Sequence, residues 1–559
     1  MSILFNVNNK QLEGKKGETI LVALKRHGIR VPTLCHLNEF TPTGSCRLCV
    51  VEISGRDELV PSCSQPVEEG MEVFTHSPRV INARKTIVEL LLANHPDDCL
   101  YCENNQHCEL QNLAVELNIM DRRFFGTKKS QYKDKSSPAI VMDNAKCILC
   151  GRCIRVCDER VQASSIDFSG RGINTRIDTA LGKGLNYSTC ISCGQCILVC
   201  PSGALTEKSA ITPVMDAINN KNITIYAQLA PAIGYTLAEA AGFKPGTDIT
   251  PLVISGLKQA GFDFVFDSAF AGDVFVMETA RHISETGKSP VIISSCPSIV
   301  NYLEQFMPEA LSFINPVKTP QQILGKLIKT DYAEKEELRQ EDTFTVSVTP
   351  CTAGKAEATR TDNMTRGIPD VDAVLTTREL LRLLKLSGVD LHNIDEERFD
   401  QPYHVSSASG SLYHVPGGLS EAIFRHMHFL KTGKEPIRHK IPDLRVMKQE
   451  KTASFKIGSK TYKTKVVSGI HNIEKHILDV LRGRANCDIL ELSNCSLGCM
   501  GGGGQPLSER TENRTKMLIK SLYKSDDNTQ AKSPQANPFA NAYIQRDDKP
   551  DLKHKFNVL

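Results

Sequence analysis

The stretch Glu491–Pro506, ELSNCSLGCMGGGGQP, offers two cysteines, Cys495 and Cys499, followed by four consecutive glycines. Thiolates are ligands for soft metals and for iron–sulfur clusters. Glycine has no Cβ and tolerates positive φ, so the run Gly501–Gly504 lets backbone N–H groups come close to an anionic cluster. Two thiolates do not close a cluster, so further ligands must come from elsewhere in the chain.

Two upstream cysteines stand where an α/β sheet would bring them to this loop. Cys296 in IISSCPSIV and Cys351 in VSVTPCTAGKAE each follow a short apolar, strand-like run and lie beside a proline. Sheets of this class gather their ligands in the loops just past the strand ends. The predicted four-cysteine site consists of Cys296, Cys351, Cys495 and Cys499.

The bulk properties limit which classes of protein could own such a site. The 559 residues suffice for roughly three to five domains. A formal net charge of +3 argues against a nucleic-acid partner. The chain shows neither a signal-peptide pattern nor an apolar run long enough for a membrane span, which predicts a cytoplasmic protein with no membrane partner. Twenty cysteines in that reducing compartment indicate metal ligands rather than disulfides.

The first cysteine group lies in a predicted domain of residues 1–78. Residues 3–14 are typical of a hairpin, and Glu18–His27 are typical of a helix. The candidate ligands that follow are Cys35, Cys46, Cys49 and Cys63. Spacing alone suits zinc or a cluster, although a zinc ribbon usually pairs two C-x-x-C units and only one is present. The loop resembles the two-iron site of plant-type ferredoxins and of the large peripheral subunit of respiratory complex I, which implies a β-grasp fold and a [2Fe-2S] cluster.

A second group occupies predicted residues 79–135, after an amphipathic helix over 79–93. Its candidate ligands are His95, Cys99, Cys102 and Cys108. Three thiolates and an imidazole can hold a cluster or zinc, and His107 is an alternative to His95. The pattern H-x3-C-x2-C-x5-C resembles the histidine-ligated four-iron site of complex I and of iron-only hydrogenases.

Residues 136–210 contain two copies of the bacterial ferredoxin run, C-x2-C-x2-C-x3-C. In such pairs the fourth cysteine of each run ligates the other cluster. One predicted cubane is therefore held by Cys147, Cys150, Cys153 and Cys200, and the other by Cys190, Cys193, Cys196 and Cys157. Asp158 departs from the pattern, because a proline usually follows the fourth cysteine.

From about residue 222 apolar runs alternate with helical stretches, which predicts an α/β domain over 211–510 with a partly parallel sheet. Residues 1 to about 510 resemble the iron-only ([FeFe]) hydrogenase catalytic subunit in module order and motifs. The motifs are Ala230–Pro231, Met277–Glu278, Thr319–Gln322 and GGGGQP. The resemblance implies that the four-cysteine site holds a cubane bridged through Cys499 to a diiron subcluster. The tail, residues 511–559, is polar and predicts an extended or disordered end.

The match to that family fails around the diiron pocket. Ser295 stands where the family has a proton-relaying cysteine, and a hydroxyl is a far weaker acid than a thiol. Gly354 stands where a lysine should donate to a cyanide ligand, with Lys355 one position later and Glu357 retained. Methionines of the pocket and glutamates of the proton path are also replaced, at Thr349, Ser493, Thr279 and His282.

These observations predict one [2Fe-2S] and four [4Fe-4S] clusters without the diiron subcluster. The resemblance favours an electron-transfer subunit of a hetero-oligomeric, flavin-dependent and electron-bifurcating NAD(P)H:ferredoxin oxidoreductase or transhydrogenase. The implied partners are a flavin- and NAD(P)-binding subunit resembling that of complex I, a small thioredoxin-like 2Fe-2S subunit, and ferredoxin. The alternative is a genuine hydrogenase that interconverts protons and H2, slowly or as a sensor. No catalytic residue is assigned beyond the relay position of Ser295.

Overall fold

The computed structural model describes residues 2–128, 133–287, 289–437, 439–507 and 512–556. Over these residues the chain is a multidomain α+β and α/β protein, as predicted. Among the described helices, none combines the length and apolar character that crossing a bilayer requires. The predicted boundary at 510–511 lies outside the described residues.

The N-terminal sheet has five strands around one parallel pair. In spatial order the strands are Lys10–Lys15, Ser2–Val7, Glu72–Phe74, Val50–Ile53 and Val60–Pro61. The first two form the expected hairpin, whose turn places Asn8 and Asn9 at positive φ. The helix Ile20–Arg26 is capped by Thr19, whose hydroxyl accepts from Val22 N (3.4 Å), and it packs its apolar side against the sheet. The cysteines of the first group lie in the loops around this core.

Two small modules follow. The helical one contains Pro78–Asn94, Cys99–Tyr101 and Glu109–Glu116. The next contains the strands Lys133–Asp134, Ile140–Asp143, Asp167–Ser169, Arg176–Asp178 and Leu205–Glu207, with the short helices Arg152–Arg155 and Gln195–Leu198. Each short helix begins inside a cysteine run, directly after a glycine in the left-handed region, Gly151 or Gly194. Each of these turns lies between the second and third cysteines of its run.

The remaining chain contains two four-stranded sheets. One is fully parallel, in the order Phe264–Asp267, Thr224–Leu229, Thr343–Thr349 and Ala373–Thr376. The other has the parallel strands Val291–Ile293, Ile489–Ser493 and Lys460–Ser468, with Glu450–Ile457 as an antiparallel edge. The apolar runs at 223–229, 264–270, 290–295, 343–349 and 372–376 each contain one of these strands. The hairpin Glu450–Ser468 was not predicted from the sequence.

Helices join the two sheets into one core. They are Ile211–Asn219, Ile233–Leu237, Thr250–Gln259, Ser268–Thr286, Pro297–Phe306, Pro320–Leu327, Ala333–Lys335, Ala353–Ala358, Thr377–Leu386, Ala408–Ser411, Gly418–Thr432 and Ile470–Leu481. The helix Ser268–Thr286 is buried almost all round, because one cluster of buried side chains includes this helix and strands of both sheets. A Cβ on Gly272 would lie 2.0 Å from Gly410 O, so glycine is required at this close helix crossing.

The C-terminal segment is not the disordered or wholly extended end that the sequence predicted. It forms the helices Glu512–Asn528 and Pro538–Ile544, and only then runs extended along residues 316–318. The first helix buries Ile519, Leu522 and Tyr523 at helical spacing. Its buried Asp526 is paired with Arg425 and Arg445. Because these partners are distant in the sequence, the polar composition of the tail does not predict the pairing.

Arg378 links the glycine-rich loop, Gly501–Gly504, to the module of residues 133–207, the ferredoxin-like module. Its guanidinium contacts the carboxylate of Glu207 at 2.8–3.2 Å and donates to Gly503 O (2.9 Å) and Gln505 O (2.6 Å). Burial acts to raise the pKa of Glu207, but the charges and hydrogen bonds of Arg378 and the charge of Arg382 lower it to about 2. Because the pKa of Glu207 is depressed, its ion pair with Arg378 stabilises the fold fully above about pH 4.3. This stabilisation is lost as the pH falls towards 2.

We predict that Arg378→Met destabilises the folded chain at pH 7 by about 3–5 kcal/mol, because the carboxylate of Glu207 is then buried without its partner. Anaerobic urea unfolding followed by circular dichroism measures the change. Arg382→Met is the matched control: Arg382 approaches Glu207 only to 3.8 Å and is one-third exposed, so its loss should cost less than about 1 kcal/mol. Equal destabilisation by the two substitutions would contradict this role of Arg378.

Candidate metal centres

The four cysteines predicted to share a site line one cavity of about 80 Å³. Cys296 follows the strand Val291–Ile293 and immediately precedes the helix Pro297–Phe306. Cys351 lies two residues past Thr343–Thr349, and Cys495 two residues past Ile489–Ser493. Cys499 lies in the turn before the glycines. The carboxyl ends of strands from both sheets therefore meet at this cavity, as in other α/β ligand sites.

The environment of these thiols suits a positively charged core. Burial raises the pKa of each of the four, and the thiols of Cys351, Cys495 and Cys499 are further raised by neighbouring members of the same set. Such crowding disfavours thiolates unless a cation compensates them. Iron supplies that compensation in an iron–sulfur cluster.

Backbone groups come close to the same point. Ala353 N donates to Cys351 Sγ at 3.3 Å. A Cβ on Gly502 would lie 2.4 Å from Pro350 O, and one on Gly503 would lie 2.1 Å from Cys193 O. Gly502 and Gly503 are therefore required by the close packing of this loop against its neighbours. The four thiols that line the cavity are the ligand set that a cubane requires.

The side chain of Gln321 fills the space above Gly354. A Cβ at Gly354 would lie 2.7 Å from Gln321 Oε1. The amide of Gln321 donates to Gly354 O (3.1 Å) and to Glu357 (2.9 Å), and its oxygen accepts from Ser347 Oγ (3.0 Å). Thr319 Oγ1 also donates to Glu357 at 2.8 Å. The wall beside Gly354 is thus a closed network of neutral donors around one buried carboxyl.

Lys355 does not substitute for the lysine expected at position 354. Its Nζ donates to Val374 O (2.5 Å) and lies 2.9 Å from the carboxylate of Glu379. Glu379 in turn accepts from Ala210 N and completes the cap of the helix Thr377–Leu386 at Thr376. Lys355 is not among the residues that line the cavity. This buried ion pair gives its charge a structural role.

The other departures from the family pattern also form local hydrogen bonds or line the cavity. Ser295 Oγ donates to Tyr413 O at 3.1 Å. Thr279 Oγ1 accepts from Asn315 Nδ2 at 2.8 Å. His282 is half-buried on the helix Ser268–Thr286. Thr349 and Ser493 line the cavity. The bond from Ser295 ends on a backbone carbonyl, so it leads to no acid or base.

The structure brings the last cysteine of the second ferredoxin-like run next to the first run. A second cavity is lined by Cys147, Cys150, Cys153 and Cys200. Cys193 is buried, and Cys190 and Cys196 are half-buried. Desolvation, followed by the charges of neighbouring cysteines that include Cys157, raises the pKa of Cys196. Both groups have the same crowded, desolvated character as the four-cysteine cavity.

The N-terminal cysteines approach each other in two pairs. Cys35 lies beside Cys46, and Cys49 lies beside Cys63. The neighbouring Cys63 thiol lowers the pKa of Cys49. Leu34 N lies 3.4 Å from Cys46 Sγ, and Ser62 Oγ holds Cys49 O at 2.6 Å. The structure thus brings all four predicted ligands to the same loops.

His95 has the geometry of a ligand that lacks a partner. Its Nδ1 lies 3.1 Å from Pro96 O, and its Nε2 is buried without a hydrogen-bond partner among the described residues. Burial lowers its pKa, which favours the neutral imidazole that metals bind. Cys99 is exposed, Cys102 is half-buried and Cys108 is buried. His107, the alternative, has no such orphaned atom.

The groups are joined by direct contacts. Cys108 Sγ lies 3.6 Å from Pro201 O, next to Cys200. Ser45 Oγ lies 3.4 Å from Cys150 O, and Arg155 donates to Cys35 O. Towards the large cavity, Thr352 Oγ1 donates to Ser192 O at 2.7 Å. The groups of Cys35 and of His95 therefore both adjoin the first ferredoxin-like group. The second ferredoxin-like group adjoins the four-cysteine cavity.

Sequence reasoning missed three residues that shape the large cavity. Gln321 lies inside the quoted motif Thr319–Gln322, but its contact with Gly354 is a tertiary fact. Gln195 lies inside a cysteine run, where its amide reaches Cys495 Sγ at 3.3 Å. His414 lines the cavity with a pKa lowered to about 3 by burial, and no spacing signal marks it.

Four family models together match most of the chain between residues 1 and 503. Residues 223–503 match the iron only hydrogenase large subunit, C-terminal domain. Residues 1–78 match a 2Fe-2S iron-sulfur cluster binding domain, 84–123 the NADH-ubiquinone oxidoreductase-G iron-sulfur binding region, and 130–204 a 4Fe-4S dicluster domain. Sites for both cluster types are thus present.

Curated relatives extend over nearly the full length. The NADP-reducing hydrogenase subunit HndD of Solidesulfovibrio fructosivorans is 36% identical over 96% of this chain and 95% of its own. Iron hydrogenase 1 of Clostridium pasteurianum is 31% identical over 89% of this chain and 88% of its own. Among solved structures, a variant of apo [FeFe]-hydrogenase HydA1 from Chlamydomonas reinhardtii superposes with a TM-score of 0.55 and 26% identity, covering 63% of this chain and 99% of that one.

We predict that His95→Ala lowers the iron content of anaerobically purified protein by about four atoms per chain, because a cubane loses its fourth ligand. His107→Ala, the matched control, should leave iron unchanged. His95→Cys should retain the iron but lower the midpoint potential of that cluster, because thiolate adds negative charge. Iron analysis and electron paramagnetic resonance (EPR) redox titration decide the assignment, and iron loss in His107→Ala with retention in His95→Ala would reverse it.

Proposed function

The chain belongs to the iron-only hydrogenase large-subunit family, and we propose that within this family it is an electron-transfer subunit that does not turn over hydrogen. It serves a flavin-dependent, electron-bifurcating NAD(P)H:ferredoxin oxidoreductase or transhydrogenase. The observation that carries the proposal is the large cavity, which four cysteines line together. Gly354 supplies no donor to this cavity, and Lys355 is paired with Glu379 instead.

The proposed cluster ligands follow the spatial grouping of the thiols. Cys35, Cys46, Cys49 and Cys63 hold the [2Fe-2S] cluster, and His95 with Cys99, Cys102 and Cys108 holds a cubane. The two ferredoxin-like sets hold one cubane each, and the large cavity holds the fourth. These groups supply one-electron redox chemistry when bound. The contacts between modules place neighbouring groups side by side, which supports electron transfer from one to the next.

The wall of the cavity supports the absence of a diiron subcluster. A diiron centre with cyanide and carbon monoxide ligands needs a cationic donor aimed at a cyanide and an apolar wall. At Gly354 the space is filled by the neutral amide of Gln321, and the charge of Lys355 is neutralised by Glu379. Thr349 and Ser493 place hydroxyl groups in the wall where the family has methionines.

Proton delivery to the cavity is also interrupted. The Ser295 hydroxyl is committed to Tyr413 O, and Thr279 to the amide of Asn315. Neither hydroxyl exchanges protons readily at neutral pH, because the acidity of an aliphatic hydroxyl is far below that of a thiol or carboxyl. Electron transfer through the four-cysteine site needs none of these groups.

The nicotinamide and flavin chemistry belongs to a partner subunit in this proposal. No G-x-G-x-x-G fingerprint opens a strand–helix unit in the sequence. The relative with 36% identity is named as a subunit of an NADP-reducing hydrogenase. We propose a flavin- and NAD(P)-binding partner, a small thioredoxin-like 2Fe-2S subunit and ferredoxin as the electron-transfer partners, and a cytoplasmic location for the complex.

A catalytic hydrogenase is the second candidate. The similarity to HndD and to Iron hydrogenase 1 along almost the whole chain favours it, because both are named hydrogenases or their subunits. In that case Ser295 would slow proton transfer without abolishing it. The two candidates differ in one component, the diiron subcluster, so a measurement that detects its ligands separates them.

We predict that protein produced with the hydrogenase maturation machinery contains about 18 iron atoms per chain. It should show no infrared bands of metal-bound CO or CN⁻ and no hydrogen uptake or evolution. Infrared spectroscopy and iron analysis on the same sample provide the test, with an active iron-only hydrogenase matured in parallel as the positive control. CO and CN⁻ bands together with hydrogen turnover would establish the second candidate.

We also predict that the chain copurifies with a flavoprotein when it is isolated from its native host without denaturants. NAD(P)H should reduce the clusters of the complex rapidly, whereas the isolated chain should show no NAD(P)H oxidation, because its nucleotide site lies on the partner. Flavin analysis and stopped-flow absorbance measure both results. A lone chain that oxidises NAD(P)H at the rate of the complex would contradict the partner assignment.

A further inference from the structure

Gln195 connects two redox sites by a hydrogen bond across a module boundary. It lies between Gly194 and Cys196 in the second ferredoxin-like run and begins the helix Gln195–Leu198. Its Nε2 lies 3.3 Å from Cys495 Sγ and 3.0 Å from Gly501 O. A side chain from one cysteine run therefore donates directly to a thiol of the large cavity.

The orientation of this amide follows from its partners. A thiolate sulfur and a backbone carbonyl oxygen are both acceptors, so the NH2 group rather than the amide oxygen must face them. The packing around it is tight, because a Cβ on Gly194 would lie 2.4 Å from Thr352 Oγ1. Thr352 Oγ1 itself donates to Ser192 O at 2.7 Å. Thr352 thus packs against the turn that precedes Gln195 without contacting its amide.

We propose that Gln195 is a positioning residue that raises the reduction potential of the cubane held by the large cavity, and so favours electron transfer into it from the ferredoxin-like module. The inference rests on the proposed function in one respect, that the four cysteines hold a cubane. Each added electron makes a cluster more negative, and a hydrogen bond to a ligand sulfur stabilises the more negative state more. The donor comes from the run that supplies the neighbouring electron site, so its contact with Cys495 depends on docking of the two modules.

The glycine-rich loop has supports that do not involve Gln195. Arg378 donates to Gly503 O and Gln505 O, and Gly504 N donates to Pro350 O at 2.9 Å. Removing the amide of Gln195 therefore leaves the loop anchored. This separates an effect on the potential of the cubane from an effect on its assembly.

The test is Gln195→Met in the full-length chain, since methionine has nearly the same shape and donates no hydrogen bond. Loss of the donor should change the ratio of reduced to oxidised cubane at fixed ambient potential about tenfold, in favour of the oxidised form. For a one-electron couple this equals about 59 mV towards lower potential. Gln195→Glu should lower the potential further, because a carboxylate adds negative charge beside the thiolate.

Anaerobic EPR redox titration reads the potential, and the signal of this cubane is assigned by difference from Cys351→Ala. Thr352→Val is the matched control, because it removes a hydrogen bond across the same boundary that ends on a carbonyl rather than on sulfur. Its potential should equal that of the wild type. Equal potentials in wild type and Gln195→Met, or loss of the cubane iron in Gln195→Met, would overturn the inference. If wild type and Cys351→Ala gave identical spectra and iron contents, the proposed cubane itself would be refuted.

Discussion

Crowding of buried thiols is the constraint on which the rest of this structure depends. Around the large cavity, burial and like charge both disfavour the thiolate form of Cys351 and Cys495. The same holds for Cys193 and Cys196 in the ferredoxin-like module. Such an arrangement is unfavourable by itself and becomes favourable only with a cation at its centre. Without that cation the groups stay protonated thiols, so the fold must hold them in place for a cluster that displaces their protons.

The architecture meets this requirement with short, well-anchored segments rather than with long loops. Cys296, Cys351 and Cys495 each follow a buried strand by two or three residues, so two sheets define their positions. The loop that carries Cys499 is fixed from outside by Arg378, which also binds Glu207 of the ferredoxin-like module. One guanidinium thus joins the cavity loop to the ferredoxin-like module.

The parts of this arrangement that sequence predicts are those encoded by local spacing. The cysteine runs, the hairpin of residues 2–15 and the strands before Cys296 and Cys351 are read from neighbouring residues, and all are present. The ligand assignment within these groups stays a prediction, although the orphaned Nε2 of His95 supports its part. Long-range compensation is not encoded locally. The pairing of Lys355 with Glu379 and of Asp526 with Arg425 could not be predicted, and for that reason the helical tail was predicted wrongly.

The extended end of the chain bears on the order of biosynthesis. His554 N donates to Pro316 O at 2.7 Å and its ring binds Asp362, while Lys318 N donates to Leu552 O at 2.8 Å. These contacts cover the segment that leads to Thr319 in the cavity wall. The ribosome makes residues 552–555 after every candidate metal ligand. A nascent chain therefore exposes the backbone of residues 316–318, which precede the cavity wall at Thr319, until the last-made segment pairs with them.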